Sequence, residues 1–221
     1  MRKVLIHTSL AGAAFLCLAS SMALAAPTTA TIISKEDVDK VLKDKLGDHT
    51  IRVMDMGQDY NMSVAVVSRG PTGGPPPART PQQIADAAAA RAKAEPCGLK
   101  AAPAGAKIIP SGSIAHDSTA ETYIVIRGAG TLVTGGQIVD GRRSAPDSDV
   151  TTTLNGPSCS GNVIGNPVQT PMKVGDIAVI PAGIPHGWTN ITTEVVYLSV
   201  RPDPKHVLPA AGYVYPALKK K

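Results

Sequence analysis

The stretch Gly175-Asp176-Ile177-Ala178-Val179-Ile180-Pro181-Ala182-Gly183-Ile184-Pro185-His186-Gly187-Trp188-Thr189-Asn190 decides the fold. Residues 177–180 are apolar and rich in β-branched side chains, which predicts a strand. Pro181, Gly183 and Pro185 follow, and a cluster of this kind stops a strand and turns the chain. His186 then stands at the start of the next strand, carried back toward a barrel interior. Gly175, Pro181, Gly183, His186 and Asn190 therefore form one spaced unit whose product is a positioned imidazole.

Working upstream, His116 precedes Glu121 by five positions, and Glu121 stands seven before Gly128. A strand ending at His116, a short connection, and a strand starting at Glu121 would bring both side chains to the same end of a sheet. Strand alternation then places Tyr123 and Val125 on the face of Glu121, and Trp188 on the face of His186.

These two segments resemble the conserved motifs of the cupin superfamily. Residues 175–190 match the second cupin motif, G-x5-P-x-G-x2-H-x3-N, at every defined position. His116, Glu121 and Gly128 match the later part of the first, G-x5-H-x-H-x3-4-E-x6-G. The chain departs from that motif at Ile114, where the first histidine would stand, and at Ile108, where the leading glycine would stand.

The resemblance covers residues 108–202 directly. It implies an all-β fold, a double-stranded β-helix or small jelly-roll barrel over residues 48–205, with insertions at 70–107 and 140–173. A segment with a short helix (26–47) precedes the barrel, a second helix lies in the first insertion, and a tail (206–221) follows. It also implies that His116, Glu121 and His186 face one cavity and hold a divalent transition metal, Fe, Mn, Zn or Ni, with the usual four ligands reduced to three. A metal-free polar cluster, with Glu121 hydrogen-bonded to the histidines, is the alternative.

The implied function is an enzyme acting on a small oxygen-bearing molecule by dioxygenase, lyase or isomerase-type chemistry. Tyr123 would give a proton or orient a substrate oxygen, and Trp188 would stack on an unsaturated or ring-shaped ligand; ordinary barrel filling is the alternative for both. Two other classes stand beside it. One is a non-catalytic cupin binding a small molecule or metal; the other is a metal-free acid/base cupin with His186 or His116 as base and Tyr123 as acid. A homodimer is a further expectation of the resemblance.

Other candidates carry less. Tyr197 and Arg201 share a face of the following strand, with an orientation the sequence does not fix. Arg127 is a candidate carboxylate binder or a solvated strand end, and His49 and His206 are expected at the surface.

Composition agrees with a β-rich chain. Of 221 residues, 21 are Gly and 19 are Pro, which suits short strands joined by turns and argues against a helix bundle. The formal charge of +5 arises from Arg2, Lys3 and Lys219 to Lys221; setting those five aside leaves 17 basic residues against 17 acidic. No concentrated basic surface is expected, which excludes nucleic acid as a partner.

Arg2 and Lys3, an apolar run and the Ala23-Leu24-Ala25 site read as a secretory leader spanning 1–25, cut between Ala25 and Ala26. The mature chain is then expected to be periplasmic or secreted, without stable membrane anchoring. Cleavage would leave Cys97 and Cys159 in an oxidising compartment, where one disulfide is expected and two separate thiols are the alternative. Helices are expected from Ser34, with Val38, Val41, Leu42 and Leu46 on one face and Gly47 as a stop, and from the Thr80-Pro81-Gln82-Gln83 cap. Residues 140–173 read as a long polar insertion, with Asn155-Gly156 as a hairpin turn and Cys159 near its tip.

Overall fold

The structure is a computed structural model and describes residues 29–57, 60–74 and 78–219. The leader expected at 1–25 lies outside the described residues, as do Lys220 and Lys221 of the tail. A helix, α1 (Lys35–Asp44), precedes β1 (Asp48–Asp55) and β2 (Asn61–Arg69). Next come α2 (Pro81–Lys93), β3 (Pro96–Cys97), β4 (Ile109–His116), β5 (Glu121–Thr134) and β6 (Gln137–Arg143). A π-helical turn (Val150–Leu154) leads to β7 (Ser158–Ile164), β8 (Val168–Lys173), β9 (Ile177–Ile180), β10 (His186–Thr189) and β11 (Val195–Asp203).

Strand β5 belongs to two antiparallel sheets. Its first half pairs with β9 and β11, and β11 continues through β2 to β1. Its second half pairs with β8 and β10, and β10 continues through β4, β7 and β6 to β3. The change of sheet occurs at Gly128, which has φ +74°, and a Cβ there would strike the carbonyl oxygen of Glu194. Only glycine takes this corner without strain. Two facing sheets sharing a bent strand make the double-stranded β-helix expected from the motifs.

Alternation along the strands divides the apolar residues among layers. Val67, Val125, Leu132, Met172, Ile180 and Val195 pack inside with Tyr123, Trp188 and Tyr197. On the outer face of the first sheet, Ile51, Val66 and Val196 are covered by Val38 and Val41 of α1 and by Tyr215. Ile109, Val133, Ile138 and Val163 form a third cluster outside the second sheet.

Ser34 caps α1 by accepting from the Asp37 amide, while the Asp37 carboxylate turns to Arg52 instead of closing a capping box. Leu46 departs from its expected place on the buried face and is 70% exposed. The helix ends at Asp44 and Lys45 is already extended, so the 3.6-residue period no longer applies and Gly47 is not the stop. Thr80 and Gln83 form the expected capping box on α2, whose side chains stay exposed.

The chain differs most from expectation over residues 140–173. This segment holds the end of β6 and all of β7 and β8, so much of it is barrel wall. Cys159 lies within the second sheet opposite Ala115 and Arg143, and Asn155-Gly156 leaves the π-helical turn instead of forming a two-residue hairpin. Polarity misled here because β7 meets its polar demands inside the fold: Ser158 is fully buried and hydrogen-bonded to His116. Residues 121–134 form one continuous strand, β5, and β6 follows after two glycines.

Candidate metal centre

Three strand ends deliver the central residues. His116 closes β4, Glu121 opens β5, and His186 opens β10, which lies between those two strands. All three side chains are buried, and their ligand atoms lie within 4.8 Å of one another. Among the described residues no other group of His, Cys, Asp and Glu gathers in this way. Ile114 faces the same interior, paired with His186 across β4 and β10, so the side of the missing histidine is apolar.

Glu121 is the hub. Its Oε2 lies 3.0 Å from His116 Nε2 and 2.9 Å from His186 Nε2, and accepts from the Tyr123 hydroxyl at 2.9 Å. Its Oε1 accepts from Ser199 Oγ at 2.8 Å and Arg201 Nε at 2.7 Å. Arg201 also donates to Asp48 Oδ2 and to the Leu154 carbonyl, each at 2.8 Å.

Hydrogen-bond accounting fixes the tautomers. Ser158 Oγ donates its one proton to the Gly156 carbonyl at 2.8 Å, so toward His116 it can only accept, and the proton of that ring sits on Nδ1, 2.9 Å away. The Ile184 carbonyl likewise accepts from His186 Nδ1 at 2.9 Å. Each ring thus anchors Nδ1 on a protein oxygen and turns Nε2 toward the Glu121 carboxylate, and in the Nδ1–H tautomer that Nε2 offers a lone pair. His186 Nε2 is buried and makes no hydrogen bond.

Burial pushes the His116 imidazolium down, favouring the neutral ring. Burial acts to raise the Glu121 carboxyl, but the charge of Arg201 holds it well below the usual carboxylate range. In the Nδ1–H tautomers three acceptors converge at about 3 Å, an arrangement that a cation between them satisfies. With Arg201 opposed by both Glu121 and Asp48, the cluster keeps one excess negative charge. The donor set thus fits a divalent cation, with the N–H of each ring anchored on an oxygen as metal-binding imidazoles require.

Tyr123 and Trp188 lie beside this centre. Their rings are stacked at 6.4 Å, and Tyr197 lies 4.2 Å from Tyr123 and 5.4 Å from Trp188. The three line a cavity of about 300 Å³ that reaches His186. Burial, reinforced by the Glu121 charge, pushes the Tyr123 hydroxyl well up, so it stays a donor.

Sequence reasoning left Arg201 without a face and missed Ser199 and Asp48. The alternation Tyr197, Ser199, Arg201 was visible, but the partner of Arg201 stands 153 residues away and no local pattern reports it. Arg127 is exposed and paired with Glu194, outside the cavity. His49 lies against Tyr215, and His206 is exposed beside Asn61. Cys97 and Cys159 are disulfide-bonded, tying β3 to β7. Among the described residues no helix is long and apolar enough to cross a membrane.

No family model matches the chain, and no curated protein matches it. Solved structures similar to it include an uncharacterized conserved protein with a double-stranded beta-helix domain from Klebsiella pneumoniae subsp. pneumoniae. That likeness has 19% identity and a TM-score of 0.37, covering 81% of this chain and 94% of that one. A protein of Bacillus halodurans is 14% identical with a TM-score of 0.35, over 86% and 92% of the two chains. An oxalate oxidase structure is 16% identical with a TM-score of 0.29, over 65% of this chain and 42% of that one.

Proposed function

We infer that this chain, a cupin by its barrel and its second motif, is an exported metal-binding enzyme acting on a small oxygen-bearing molecule. The observation that carries the reading is the convergence of His116 Nε2, His186 Nε2 and Glu121 Oε2, three lone-pair donors, on one buried point. Two imidazoles and a carboxylate suit Fe(II), Mn(II), Zn(II) or Ni(II). When bound, such a metal supplies a Lewis acid or a site for activating dioxygen, with coordination positions left open by the absence of a fourth protein ligand.

The chain's own groups do the rest. Arg201 and Ser199 occupy Glu121 Oε1 and so direct Oε2 to the centre. Tyr123 holds a proton at the edge of the site, and Trp188 with Tyr197 offers flat apolar surface for a substrate. The disulfide supports a non-reducing compartment. Two copies per assembly complete the reading, which sedimentation equilibrium on the mature chain checks.

The test is the metal content of the mature protein, purified without a histidine tag or chelator, beside His186→Ala. Near one transition metal per chain, lost in the variant, is the expected result. No metal, and none taken up from added Fe(II), Mn(II), Ni(II) or Zn(II), overturns the reading and returns the cavity to metal-free binding or acid/base chemistry.

A further inference from the structure

The cavity beside His186 has a cation at its opposite border. Arg69 ends β2 two residues after Val67 of the inner core, so alternation gives it the same inward face, at the open end of the barrel. Among the described residues it forms no ion pair. It is exposed at the cavity mouth and hydrogen-bonded to Tyr197; the charge of Asp48 also reaches it, but that carboxylate is hydrogen-bonded to Arg201.

A second donor borders the same cavity. Trp188 Nε1 is buried beside the Tyr197 hydroxyl but does not reach full hydrogen-bonding geometry with it. An incompletely met indole N–H favours an acceptor, and a guanidinium that forms no ion pair favours one carrying negative charge. Tyr123, Tyr197, Ile114 and Ile191 offer surface for a carbon body, alongside the polar Thr72, Ser111 and Ser160.

Resting on the reading of this cavity as the substrate site, we propose that its ligand is a small carboxylate, with its charged group on Arg69 and its carbon body against Tyr123, Trp188 and Tyr197. The lining contains a single guanidinium and neither lysine nor a helix N-terminus, whereas phosphate sites collect several such donors. The cavity of about 300 Å³ sets the size, at the small end of ligand pockets.

Trp188 is the one tryptophan of the chain, so its fluorescence reports from the cavity wall. The experiment titrates acetate, pyruvate and benzoate against acetamide, pyruvamide and benzamide, using wild type and Arg69→Gln, with metal content measured on each preparation. At least one carboxylate should bind at least about tenfold more tightly than its amide, and Arg69→Gln should remove that preference while keeping its metal. Arg69→Lys should retain part of it. No preference in wild type, or one that survives in Arg69→Gln, overturns the proposal, the latter because the carboxylate would then sit on the metal alone. Arg69-dependent carboxylate binding by a protein that takes up no metal upholds the proposal and rejects the metal reading, so the two fail separately.

Discussion

Arg201 Nε donates to Glu121 Oε1 at 2.7 Å, with both side chains about 1% exposed. The same guanidinium holds Asp48 of β1 and the Leu154 carbonyl of the π-helical turn. One side chain thus pairs with the central Glu121 carboxylate and ties four segments together. Burial of each charge is expensive, and removing one partner leaves the others uncompensated.

Arg201→Met should therefore lower stability by about 3–5 kcal/mol, and the surviving folded protein should bind metal about 10- to 100-fold more weakly. Urea denaturation and a competitive metal titration measure the two effects. Arg201→Lys, which keeps the charge but not the fork, should fall between. A variant with wild-type stability and affinity would show that Glu121 holds its orientation without the clamp.

Gly128→Ala tests the corner of β5. A methyl group there meets the Glu194 carbonyl, and the residue has φ +74°. We expect a loss of at least about 2 kcal/mol in equilibrium unfolding. Gly73, also at positive φ (+81°) but with open space around it, is the control: Gly73→Ala should cost less.

Cys97 and Cys159 close a loop of 62 residues. The denatured, oxidised mature chain should show no titratable thiol, and the double serine variant should be about 4 kcal/mol less stable if chain entropy dominates. Two free thiols in the oxidised preparation would contradict the bridge.

Tyr215 donates to Asp44 Oδ2 at 2.8 Å, fastening the C-terminal segment to α1. Burial and then the Asp44 hydrogen bond push its hydroxyl up to about 12. The folded state therefore holds this proton above the unfolded value near 10, so its contribution is whole below pH 10 and lost as pH rises toward 12. The stability difference between wild type and Tyr215→Phe should shrink over that window; a difference that stays constant with pH would refute the linkage.

Much of the centre was legible because its signals are short in sequence. The turn at Pro181 to Pro185 fixes where β10 starts, and the five-residue step from His116 to Glu121 fixes two strand ends. Alternation then assigns Tyr123 and Trp188 to the inner face. The reading failed where polarity stood for exposure: Ser158 and Cys159 lie on a strand whose hydrogen bonds are met within the fold. Leu46 failed for a different reason, since a helical period predicts a face only while the helix lasts.

The sequence by itself determined the strand-and-turn grammar, the two motifs and three residues able to hold a metal, because each depends on neighbours within some sixteen positions. Only the tertiary structure decided that Arg201 clamps Glu121, that both Nε2 atoms face one carboxylate, and that Arg69 borders the same cavity. Those relations join residues from β1 to β11 through non-local strand pairing. Their energies depend on burial, which no local pattern encodes.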